Sequence, residues 1–173
     1  MCAALAEPNL NDFRIARGQE NERLRHHGVE DAFTAHLGAF LYHNATSNLA
    51  DLSAAAGETP LGLVIDAGNG TTDAAGGRPQ SILGDVSATP EIPQVIIETG
   101  QFELRDVAVA GASTDVHLDE YVFLPVGTDN LADLTLTGAT GQFPIGRTTK
   151  RRGTRFDVFV FDKHERLSQP TAA

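Results

Sequence analysis

Gln94-Val95-Ile96-Ile97-Glu98-Thr99-Gly100-Gln101-Phe102-Glu103-Leu104-Arg105-Asp106-Val107-Ala108-Val109-Ala110 is the stretch whose reading decides the fold. Gln94 to Glu98 reads as a strand rich in branched residues, Gly100 interrupts it, and Gln101 to Ala110 reads as the next strand. Phe102 and Leu104 share one face by period-two alternation. Val107 and Val109 take the opposite parity, which predicts a bulge or bend near Asp106.

Working outward, Glu120 to Pro125 and Arg155 to Asp162 hold contiguous apolar runs, Tyr121 to Leu124 and Val158 to Phe161. Such runs suit strands buried on both faces. Leu37 to His43 and Leu61 to Asp66 read as two more strands, with a turn from Asn44 to Ser47. Leu49 to Ala56 is ambiguous: its alanines favour helix, but Leu131 to Thr137 has a similar start and alternates like a strand.

That similarity belongs to an ordered internal echo. Gly18-Gln19 recurs as Gly100-Gln101, and His36-Leu37 as His117-Leu118. Asn48-Leu49-Ala50-Asp51-Leu52 recurs as Asn130-Leu131-Ala132-Asp133-Leu134, and Pro60-Leu61-Gly62 as Pro144-Ile145-Gly146. Two copies are too few for a solenoid and point instead to two related β-rich halves packed as one body. The expected fold is therefore mainly β, a small β-sandwich or β-barrel built from two related halves.

The expected organisation is an N-terminal arm over 1–28, a β domain over 29–163 and a short C-terminal tail over 164–173. The arm is nearly all polar from Arg17 to His27, and Leu167 to Ala173 reads as frayed. Within the domain, halves of about 29–66 and 94–163 are joined by 67–93, a Gly/Pro-rich stretch with few large apolar residues that reads as a long surface excursion. Tryptophan is absent, so nine phenylalanines supply most of the aromatic core.

The net charge is −10, and it is segregated. Between His26 and Phe143 sixteen acids face two bases, Arg78 and Arg105; then Arg147, Lys150, Arg151, Arg152 and Arg155 crowd into nine residues. Overall acidity argues against direct nucleic-acid binding, which needs many cations to neutralise phosphates. The basic run suits an acidic partner surface or a charge-protected strand edge. The single cysteine, Cys2, allows no internal disulfide and no cysteine-based zinc site. The first residues lack the pattern of a secretory signal, and no stretch approaches the roughly 18 apolar residues that span a membrane.

Constellations with chemistry are few. Val64 to Asp73 resembles the phosphate loop of actin-like ATPases, but Ala74-Ala75-Gly76-Gly77 follows where that fold needs a strand. Asp66 and Asp73 lack EF-hand spacing. His26, His27, His36 and His43 are close in sequence but show no zinc-binding pattern. Asp119 and Glu120, adjacent on a strand, would point to opposite faces and cannot form a facing acid pair. The expectation is no catalytic residues, no metal and no cofactor.

From about Val29 to Asp162 the chain resembles the capsid decoration proteins of tailed phages, in their small β-domain group. The residues that carry this are Pro60 to Val64, Val95 to Leu104, Glu120 to Leu124, Pro144-Ile145-Gly146-Arg147 and Phe156-Asp157-Val158. The resemblance implies a non-enzymatic virion protein that binds the outer head surface and stabilises capsomer contacts. Its partners would be the major capsid protein and copies of itself, with a trimer favoured. It would be made in the host cytoplasm and reside on the capsid. On this reading Phe13, Arg14, Ile15 and Arg17 in the arm, with Arg147, Lys150, Arg151, Arg152 and Arg155, contact the partner. The alternatives are another virion component (tail-tube, head-completion or fibre-base protein) or a carbohydrate-binding β-sandwich module.

Overall fold

The computed structural model describes residues 14–17, 24–52, 57–68, 70–72, 79–88 and 91–173, with the backbone alone at 14–17 and 71–72. Cys2, Phe13, Gly18, Gln19, Asp73 and the Ala74–Gly77 run lie outside these residues.

The protein is mainly β and is built from antiparallel sheets. The first sheet has the order β1-β10-β13-β12-β11. Its strands are β1 (Arg14–Arg17), β10 (Phe102–Val107), β13 (Arg155–Val160), β12 (Gly146–Arg152) and β11 (Tyr121–Val122). The second has the order β2-β9-β6-β4-β5. It contains β2 (Leu24–Gly28), β9 (Gln94–Glu98), β6 (Thr59–Asp66), β4 (Phe40–His43) and β5 (Ala50–Asp51). A third, smaller sheet joins β3 (Thr34–His36), β8 (Pro79–Leu83) and β7 (Thr71–Thr72).

Alternation along β4, and a register slip on β6 that leaves Leu61 as an extra residue opposite β4, give the second sheet its central place. Phe40 and Tyr42 of β4 and Leu63 of β6 pack with Phe102, Leu104, Phe156, Val158 and Val160 of the first sheet. Leu41 between the first two, and Leu61 and Val64 of β6, pack on the opposite side with Ala35 of β3 and Ile82 of β8. The middle sheet is thus buried on both faces, and each large side chain so buried contributes about 2 kcal/mol.

The bulge expected near Asp106 is present. The register of β10 on β13 slips between Leu104 and Val107, and Asp106 adopts φ 59. Aspartate tolerates this left-handed conformation better than most residues. The extra residue brings Phe102, Leu104, Val107 and Val109 into the same core despite their change of parity. The turn at Asn44 also forms, with its side-chain oxygen accepting from the Thr46 and Ser47 amides at 2.9 and 3.2 Å.

Several local expectations change. Within 67–93, β8 pairs with β3 and β7, and its Ile82 is buried against the outer face of the middle sheet. Gly70 and Gly84 serve close backbone approach, since a Cβ there would collide with the carbonyl oxygen of Ser81 or Glu30. At the end of the chain Lys163–Ser168 forms the short helix α1, where the sequence suggested only a tail, and Arg166 within it is buried. Beyond α1, the Ala172 amide donates to the Gln142 carbonyl at 2.9 Å. Backbone from the expected arm runs along sheet edges, β1 beside β10 and β2 beside β9.

The echo is realised unevenly. Gly62 and Gly146 share one device, since a Cβ at either would collide with a neighbouring strand's carbonyl oxygen, Glu98 or Phe159. Asn48 instead sits at φ 61 before β5, whereas Asn130 caps a 3-10 turn over Leu131–Asp133.

Candidate functional site

Two surfaces carry the chemistry of this molecule. The first is the β12–β13 hairpin, which gathers Arg147, Lys150, Arg151, Arg152 and Arg155 as the sequence suggested. Each arginine there meets an acid of the same chain. Arg147 lies 3.0 Å from Asp119, Arg151 3.2 Å from Asp115, and Arg155 3.3 Å from Asp106. Arg152 grips Asp157 through two hydrogen bonds of 2.5 and 2.8 Å. Asp157 also accepts from the bulged Asp106 amide at 3.1 Å. Burial raises the Asp157 pKa, but these donors and the nearby Lys150 outweigh it and hold the carboxyl below its ordinary value. Of the expected contact residues in the arm, Arg14, Ile15 and Arg17 lie on β1 by their backbone, and Phe13 falls outside the described residues.

Beside this hairpin a 3-10 turn over Asp115–His117 runs along β12. It is tied there by the Thr148 hydroxyl, which donates to the His117 carbonyl, and by the Asp119 amide, which donates to the Thr148 carbonyl at 2.9 Å. The turn lifts Val116 into solvent at 76% exposure, with Leu118 partly exposed next to it. Asp115 and Asp119, each paired to an arginine, flank these apolar side chains. Val116 and Leu118 thus form a small exposed apolar spot between two ion-paired carboxylates.

The second surface is a cleft of about 240 Å³ between the β2 edge and α1, lined by Arg25, His27, Thr99, Lys163 and His164. Arg25 and His27 are two apart on β2 and so share a face. Lys163 is placed by its amide, which donates to the Thr99 carbonyl at 3.1 Å. The nearby acids of α1 are otherwise engaged. Asp162 caps the helix by accepting from the Glu165 amide, and Glu165 accepts from Gln101 at 2.9 Å. Burial, and then the charges of Lys163, His43 and Arg25, lower the His27 pKa from its ordinary value. Sequence reading missed this cleft because its residues come from distant segments. The only trace was a basic pair, Lys163-His164, outside the main arginine run.

The histidines do not converge on a metal. His26 and His27 lie on β2, His36 on β3 and His43 on β4. Among the described residues no three His, Cys, Asp or Glu side chains come together to hold an ion, and no helix is long and apolar enough to cross a membrane. Comparison with protein-family profiles, curated proteins and solved structures finds no match.

Proposed function

We propose that this protein is a non-enzymatic capsid decoration protein that binds the outer surface of an assembled viral head and stabilises contacts between capsomers. The observation that carries the reading is the Val116–Leu118 turn beside the ion-paired β12–β13 hairpin. It offers an exposed apolar centre with a charged rim on a rigid sheet edge, which suits docking to another folded protein better than chemistry on a small substrate. Pairing of Arg147 and Arg151 with Asp119 and Asp115 leaves this surface nearly neutral, so contact would rest on shape and apolar burial rather than on bulk charge. Many copies on a repeating shell would sum modest interfaces into firm attachment. The partner in this reading is the major capsid protein, with further contacts between copies of this chain.

The test is co-sedimentation of the purified protein with undecorated heads from its source, combined with a count of copies per native particle. Hundreds of copies, and binding weakened about tenfold by Val116→Asp, would support decoration. A dozen or fewer copies would move the protein to the connector or tail. Unchanged binding by Val116→Asp would remove the turn from the interface.

A further inference from the structure

The cleft between β2 and α1 is an anomaly of charge. The chain carries −10 overall, yet the five residues lining this cleft include two permanent cations, Arg25 and Lys163, and two imidazoles, His27 and His164. No acid lines it among the described residues. The arginines of the β12–β13 hairpin are each neutralised by an acid, but neither Arg25 nor Lys163 has an ion-pair partner among the described residues. Arg25 and Lys163, the fixed cations of this cleft, both act on His27, whose pKa burial and their charges lower. Arg25 and His164 are exposed and His27 and Lys163 half-buried, so the cleft presents its positive charge to solvent and is open to an anion.

We propose that this cleft is an oxyanion site that takes a phosphate group, either free or carried as a small phosphomonoester. The choice of a phosphate over a carboxylate follows from charge and shape. Two fixed cations call for a dianion, and a tetrahedral group can accept from several directions at once. Arginine supplies a planar fork of donors and lysine a compact point charge, and both are suited to phosphoryl oxygens. The imidazole of His27 gains a proton as the anion approaches, which adds a further charge-assisted contact. Arg25 lies on an edge strand and Lys163 is held through its backbone amide, so both attachment points are part of the folded framework. This site lies on residues other than the Val116 turn, and its occupancy does not depend on the decoration reading.

The experiment is calorimetric titration of the full-length protein with inorganic phosphate, glycerol 3-phosphate and acetate at matched ionic strength. The wild-type chain is compared with Arg25→Gln and Lys163→Met, and the thermal midpoint of each variant is checked without ligand. The expected result is saturable phosphate binding, weaker binding of acetate, and a loss of about tenfold in each variant with the midpoint unchanged. Tighter binding of glycerol 3-phosphate identifies an esterified phosphate as the ligand, and tighter or equal binding of inorganic phosphate identifies the free ion. Acetate binding as tightly as phosphate, no saturable binding, or binding undiminished in both variants would overturn the proposal. Should either variant lose its fold, amide shifts of Thr99 and His164 in the wild-type chain decide the matter, since absence of saturable shifts with phosphate also overturns it.

Discussion

The buried guanidinium of Arg166 donates to the carbonyl of Leu61 at 2.7 Å and so fastens the last helix to β6, 105 residues earlier in the chain. Its Cζ also lies 5.1 Å from the centre of the Phe40 ring. Nε and Nη1 find no hydrogen-bond partner among the described residues. Burial pushes its pKa down to about 10, against the opposing pull of Tyr42, Asp162 and Glu165. The group is still charged at neutral pH, so the fold bears the cost of desolvating it.

Arg166→Ala and Arg166→Met should therefore part company. The alanine variant removes the packing on Phe40 and should lose roughly 3 kcal/mol in urea denaturation. Methionine keeps most of the volume and removes the buried charge, so it should fall within about 1 kcal/mol of the parent or exceed it. Equal losses in the two variants would show that the guanidinium is a net stabiliser.

Gly62 and Gly146 are fixed by the approach of a neighbouring strand. Alanine at either would drive a Cβ into the carbonyl oxygen of Glu98 or Phe159, and each change should cost about 3 kcal/mol. Gly127, at φ 87 with open space around it, supplies the control: Gly127→Ala should cost only about 1 kcal/mol of backbone strain. Denaturant midpoints of the three variants check the ranking.

Asp157 should make the bulge acid-sensitive. Its carboxyl titrates below the ordinary 3.8 in the fold, so its stabilisation is present above that value and is lost as pH falls through the lowered one. Asp157→Asn should lose about 2 kcal/mol at pH 7, through weakened bonds to Arg152 and the Asp106 amide. The gap between parent and variant should close below pH 3.8. A gap that stays constant with pH would deny the carboxylate this role.

His27 predicts a second, milder dependence on pH. Its pKa in the fold lies below the ordinary 6.5, so the unfolded chain binds the proton more readily. The stability it allows is present above 6.5 and declines as pH falls through the lowered value. The thermal midpoint of His27→Gln, followed from pH 7.5 to about 5, should fall less steeply than that of the parent. Parallel curves would place the acid sensitivity elsewhere.

The strands over 94–98 and 155–160, the turn at Asn44 and the bulge at Asp106 were legible because each depends on neighbours a few residues away. Alternation, its break in parity and turn-forming side chains are local signals. The strand Pro79–Leu83 inside the stretch 67–93 was missed for the same reason. The small residues of that stretch look like a loop, but Gly84 is small because another backbone passes beside it.

The sequence by itself determined a β-rich body, the course of its central strands and a cluster of arginines on one hairpin. Only the tertiary structure decided what those charges do. Asp115 and Asp119, brought in by a separate turn, pair with Arg151 and Arg147, while Arg25 and Lys163 line one cleft in which no acid stands among the described residues. Such charges pair or crowd according to which distant segments the sheets align. That alignment is set by the burial of two faces of the middle sheet, and no window of sequence contains it.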